Sequence, residues 1–209
     1  MKHRIALLFA IVFLAVFAAF SQQKLVVIGG SERPPESLAR FVEWAGREKA
    51  RVLIVTWASG VPVESFDALK EDFGKFPVAS FEHAPLAPLD AETRARFVEQ
   101  LKSATAVFFS GGDQNRIMEV LKDEELYRLL REKYNAGTVF GGTSAGAALM
   151  STPMMTGEND LTVIDGTKVG TRKGLGLIPN VIFDQHFIKR QRENRLFGLV
   201  LSNESFCKK

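Results

Sequence analysis

The chain has 209 residues, 46% of them hydrophobic, enough to bury the core of one domain and too few for two large ones. Its formal charge of +3 falls close to balance once Lys2 and Arg4 are set apart, so whole-domain electrostatics make no case for nucleic acid or an anionic membrane as a partner. One cysteine, Cys207, excludes an intrachain disulfide and a cysteine-rich metal site.

Residues 1–21 read as a signal peptide. Lys2, His3 and Arg4 precede an apolar run over 5–20, and Ala19-Phe20-Ser21 puts small residues where a signal peptidase inspects them. The run is short of the roughly 20 residues that span a bilayer. Cleavage near Ser21 and export to the periplasm or the extracellular space are therefore expected, with an uncleaved anchor as the alternative. Residues 22–209 form the single remaining domain.

Through that domain, short β-branched runs alternate with amphipathic stretches of helical length, the pattern of an α/β fold whose mostly parallel sheet is covered on both faces. Strands are predicted over 24–28, 51–56, 78–82, 104–110 and 137–140, the fourth almost continuously apolar as a central parallel strand should be. Helices are predicted over 35–49, 63–73, 91–102, 113–121 and 124–134, the last two divided around Lys122 and Asp123. From Thr152 to Pro179 the pattern breaks into scattered Gly and Thr, which predicts loops and a hairpin. A further strand over 181–183 and a helix over 189–201 complete the reading.

Gly141-Gly142-Thr143-Ser144-Ala145-Gly146-Ala147 stands between a strand and helix-forming residues, the context in which a serine sits on a sharp turn with its hydroxyl exposed. Ser144 is the candidate nucleophile. Gly142 and Gly146 leave room for a strained backbone, and the amide of Ala145 can face a developing oxyanion. A glycine-rich turn holding a phosphate at a helix N-terminus is the alternative.

A serine hydroxyl needs a base. His3 is in the leader and His83 lies in a proline-bearing stretch, whereas His186, in Asp184-Gln185-His186-Phe187, follows an apolar run toward the carboxyl edge where such sheets place their sites. A histidine that merely packs or caps a strand end is the other reading. Ser110-Gly111-Gly112-Asp113-Gln114 opens a helix after a strand. Gly111 or Gly112 can supply a second oxyanion donor with Gln114 near the substrate, or the segment is an ordinary turn capped by Asp113. Arg190, Arg192 and Arg195 crowd one predicted helix, which suits an acidic substrate or a solvated basic face.

On Gly111-Gly112-Asp113-Gln114, Gly142-Thr143-Ser144-Ala145-Gly146 and Asp184-Gln185-His186-Phe187 with its spaced arginines, the chain resembles the cyanophycinase-like serine peptidases, the family that also holds the aspartyl dipeptidases. The resemblance runs from about Leu25 to Leu196. It implies a three-layer αβα sandwich of the class I glutamine-amidotransferase type, with Ser144 as nucleophile, His186 as base, and neither metal nor cofactor. Members of the cyanophycinase branch cleave a polyaspartate backbone carrying arginine and release β-aspartyl-arginine dipeptides. By resemblance, Gln114, Asp184, Gln185, Arg190, Arg192 and Arg195 line the substrate pocket, with Asp184 able to meet a substrate guanidinium.

An aspartyl or isoaspartyl dipeptidase and a truncated, non-catalytic domain that binds aspartyl-rich peptides are the alternatives. Members continue past the arginine helix into a strand whose glutamate orients the histidine. No such strand is legible before Lys209, so the usual C-terminal part is expected to be missing, with Glu204 as a substitute. A sheet edge left uncovered would invite association, with a homodimer as one form it could take. Gly29-Gly30-Ser31-Glu32-Arg33-Pro34-Pro35 is richer in proline than the family pattern and is expected to alter the site's rim.

Overall fold

The computed structural model describes residues 22–202. Residues 1–21, expected from the sequence to be a signal peptide, lie outside the described residues, as do Glu204 and Cys207.

Five parallel strands form the main sheet: β1 (Leu25–Ile28), β2 (Arg51–Val55), β3 (Ser80–His83), β4 (Ala106–Phe109) and β5 (Val139–Thr143), in the order β1-β5-β4-β2-β3. Successive side chains leave a strand on opposite faces, and burial follows that period. Leu53, Val55, Val107 and Phe109 join one apolar cluster, while Val52, Ile54, Ala106 and Phe108 join the other. Helices α1 (Pro35–Ala45) and α2 (Pro62–Phe73) cover the second face. Helices α3 (Ala91–Ser103) and α5 (Glu124–Asn135), with the short α4 (Gln114–Val120) and α6 (Ala145–Ala148), cover the first. The result is the three-layer αβα arrangement. Phe41 and Phe73 meet Phe108 with ring centroids 5.4 and 5.1 Å away, and such pairs add about 0.5–1.5 kcal/mol each beyond their burial.

Local chemistry sets the helix ends. Pro35 opens α1 with a fixed φ, and Gly46 closes it in the left-handed region, its N–H returning to the Glu43 carbonyl. Asp90 and Thr93 cap α3 reciprocally. The hairpin expected between Thr152 and Pro179 is β6 (Met154–Asn159) against β7 (Val169–Arg172), antiparallel.

Two sequence expectations are corrected. Residues 181–183 are not a strand: Ile182 packs beside Met155, Val169 and Leu199 while Phe183 packs on the larger core, so the run is satisfied by two clusters rather than by a ladder. The last helix, α7 (Glu193–Ser202), begins later than expected because Gln191 has φ 50°, which no α-helix accommodates. Arg190 therefore lies on a turn and Arg192 in irregular backbone before it, and only Arg195 of the three is helical.

Parallel pairing brings all five strand ends to one edge. Ile28 lies beside Thr143, and Phe109 beside Gly142. Gly29-Gly30, Ser110-Gly111-Gly112 and Ser144 consequently emerge together, although they are far apart in the chain.

Candidate active site

Ser144 joins β5 to α6 at φ 53° and ψ −112°, a region L residues avoid at a cost of order 1–3 kcal/mol. The surroundings enforce it. Its N–H donates to the Ile28 carbonyl at 2.9 Å, extending the ladder, while its own carbonyl accepts from Ala148 at 3.0 Å, starting the helix. The turn is tight enough that a Cβ on Gly142 would lie 2.4 Å from the Gly146 carbonyl. As the first residue of α6, Ala145 presents an N–H with no acceptor inside the helix, next to the hydroxyl.

The loop after β4 comes up beside this turn. Gly111 passes so near that a Cβ there would sit 3.3 Å from that of Ser144. Gly112, at φ +136°, lies against the Ala58 carbonyl, where no side chain fits. Both glycines share a cavity wall with Ser144. Gln114 starts α4 and is buried, its Nε2 donating to the Met155 carbonyl at 2.6 Å.

His186 is delivered by the loop over 180–192. Its N–H donates to the Gly29 carbonyl at 2.7 Å, which docks the loop on the end of β1, and its carbonyl accepts from Arg190 at 2.9 Å. The ring lies over Gly30, where a Cβ would come within 2.4 Å of it. This places His186 Nε2 2.9 Å from Ser144 Oγ. Among the described residues, Ser144 is the only side-chain partner hydrogen-bonded to the ring. His83 is engaged elsewhere, 2.7 Å from the Thr56 hydroxyl and stacked on Phe66.

Two cavities flank Ser144. One, of about 350 Å³, is lined by Ser31, Arg33, Gly111, His186 and Arg190; Arg33 is held by Asp72 from α2. Ser31 and Arg33 thus make the proline-rich segment part of the rim. The other, of about 240 Å³, is lined by Asp113, Gln114, Glu158, Gln185, Arg190 and Arg192. A larger cavity of about 470 Å³ above Trp57 contains none of these residues, and its Arg94 is already bonded to Asp123 and Glu125. Ser144 thus borders the two smaller, polar cavities and not this one.

Two expected pocket residues are elsewhere. Arg195 is fully buried and donates through Nε and Nη2 to the Asp184 carboxylate, itself enclosed, so neither lines a cavity at Ser144. Arg192 donates to the Gln185 carbonyl at 2.7 Å and stands 3.8 Å from Asp184. This knot braces the loop that carries His186. Glu158 escaped sequence reasoning because only the fold of the β6–β7 hairpin brings it to the site. Arg33 had a legible signal, since it follows a strand end at the same edge.

Burial, then the charges of Arg190, Arg192 and Lys189, hold the imidazole of His186 below its ordinary value. The neutral ring is favoured, which lets Nε2 accept the Ser144 proton. Because the folded ring binds a proton less readily than the unfolded one, stability falls as pH drops from about 6.5 through the folded value. Arg190→Gln removes the second cause, so the ring's NMR titration midpoint should move upward in the variant. An unmoved midpoint would show that Arg190 has no electrostatic hold on the ring.

The model of peptidase family S51 matches residues 25–207. A cyanophycinase of Geminocystis herdmanii is 35% identical over 193 residues, covering 88% of this chain and 69% of that protein. A cyanophycinase of Nostoc sp. is 32% identical over 183 residues, covering 86% of this chain and 61% of that protein. The crystal structure of a peptidase from an acI-B1 actinobacterium superposes with a TM-score of 0.62 at 24% identity, covering 84% of this chain and 74% of that one, which speaks for the fold alone. A match of that extent, spanning the serine turn, the histidine loop and every strand between them, makes the chain a member of peptidase family S51.

Proposed function

We propose that the protein is a serine-type hydrolase of β-linked aspartyl peptides, with cyanophycin as its substrate and β-aspartyl-arginine dipeptides as its product. The observation that carries this reading is the 2.9 Å contact between Ser144 Oγ and His186 Nε2 on a strained turn at the sheet's carboxyl edge. The cyanophycinase relatives support the choice of substrate.

In the proposed reaction Ser144 Oγ attacks the scissile carbonyl while His186 takes its proton. The oxyanion lies at the amides of Ala145 and Gly112, which sharpens stabilisation in the transition state rather than in the substrate. Collapse breaks the C–N bond, and the departing amine takes the proton from His186. Water then attacks the ester with His186 again as base, releasing the acid and restoring the hydroxyl. Incubating the protein with cyanophycin and following dipeptides by mass spectrometry tests this directly; well-folded protein that releases none overturns it.

The leader over 1–21 supports an exported enzyme acting on polymer outside the cytoplasm. N-terminal sequencing of the exported protein should find a start close to Gln22, whereas a start at Met1 would favour an anchor.

A further inference from the structure

Asp184 is the carboxylate that family resemblance offers to a substrate guanidinium, yet its oxygens are occupied. It is 2% exposed at the side chain and bonded to Arg195, with Arg192 alongside. A substrate cation meeting it would have to displace a fully buried arginine, leaving that charge uncompensated. Resting on the hydrolytic reading above, the place open to a substrate cation is the 240 Å³ cavity that shares Ser144 and Arg190 with the site.

That cavity holds two other carboxylates, Asp113 at the start of α4 and Glu158 on the hairpin. Among the described residues neither is ion-paired. A third observation comes from Gln185, which lines the same cavity and is 6% exposed: its Oε1 is buried with no hydrogen-bond partner among the described residues. An enclosed acceptor left unpaired is unfavourable, and a ligand N–H would satisfy it. Two carboxylates and the Gln185 amide thus border one cavity, and a guanidinium, with five N–H donors and no acceptor, matches that set. Arg190, exposed and not ion-paired among the described residues, borders both cavities that Ser144 lines and can receive a carboxylate, while Arg192 in the same wall is turned to the Gln185 carbonyl and to Asp184.

We infer that Glu158, with Asp113 and Gln185, forms the subsite that reads the guanidinium side chain of the substrate, and that Glu158 is its specificity-determining residue. Asp184 braces the loop instead.

Binding to the Ser144→Ala protein tests this without turnover, using matched β-aspartyl peptides that bear arginine or its neutral isostere citrulline. The arginyl peptide should bind about tenfold to a hundredfold more tightly, as a charge-assisted hydrogen-bonded pair allows. Glu158→Lys on the same background should erase that preference and favour a glutamate-bearing peptide, a gain that misfolding cannot produce. Equal affinity for the arginyl and citrullinyl peptides, no binding of either, or a preference that survives Glu158→Lys overturns the inference. Cleavage of the arginyl peptide by the wild type is scored separately. Cleavage without a Glu158-dependent preference keeps the hydrolase and removes the subsite; preference without cleavage does the reverse.

Discussion

Ser144→Ala is expected to lower cyanophycin hydrolysis by at least about ten-thousand-fold, since loss of the nucleophile in a serine–histidine pair removes the covalent route altogether. The variant should fold. The turn is held by backbone bonds, from Ser144 N–H to Ile28 and from Ala148 N–H to the Ser144 carbonyl, and alanine keeps both. Alanine also inherits the same φ of 53°, so the strain is neither relieved nor increased. The residual rate reports what the amides of Ala145 and Gly112 do without a nucleophile. Dipeptide release measured by mass spectrometry, with circular dichroism as the fold control, gives the comparison. A variant as active as the wild type would remove Ser144 from the mechanism.

Asp184→Asn is expected to cost about 3–5 kcal/mol of folding stability, the usual price of removing one partner from a buried ion pair. Arg195, with no exposed surface, and Arg192 would then carry charge that nothing nearby balances. Urea unfolding at neutral pH measures the loss as a lower midpoint at an unchanged slope. Replacing the pair together, Asp184→Leu with Arg195→Met, should restore much of it, because well-packed apolar residues often match a buried pair or exceed it. Activity should fall with the single variant too, since Asp184 stands two residues before His186 in the loop that docks on Gly29. An Asp184→Asn protein with the wild-type midpoint would show that the pair does not brace the loop.

Part of the site was legible in the chain. The serine turn was, because small residues at 142 and 146 answer a demand for space that neighbouring residues create. His186 was legible by its place after an apolar run, although that run is not a strand: its side chains are buried in two clusters, and a hydrophobic pattern records burial without recording hydrogen-bond partners. The extra helical turn expected before Glu193 failed at Gln191, whose φ of 50° is left-handed although glutamine has no preference for that region.

The amino-acid sequence by itself determined the layered α/β fold, the edge of the sheet at which chemistry gathers, and the serine and histidine that meet there. These follow from period-two burial, helix caps and turn chemistry, which act between residues close along the chain. Tertiary structure alone decided that Asp184 and Arg195 neutralise each other, that Arg190 stays open to the cavities, and that Glu158 reaches the same pocket as Gln114. The reason is physical. The energy of a charge depends on its separation from other charges and on its distance from water, and the path of the chain sets both only after it has folded.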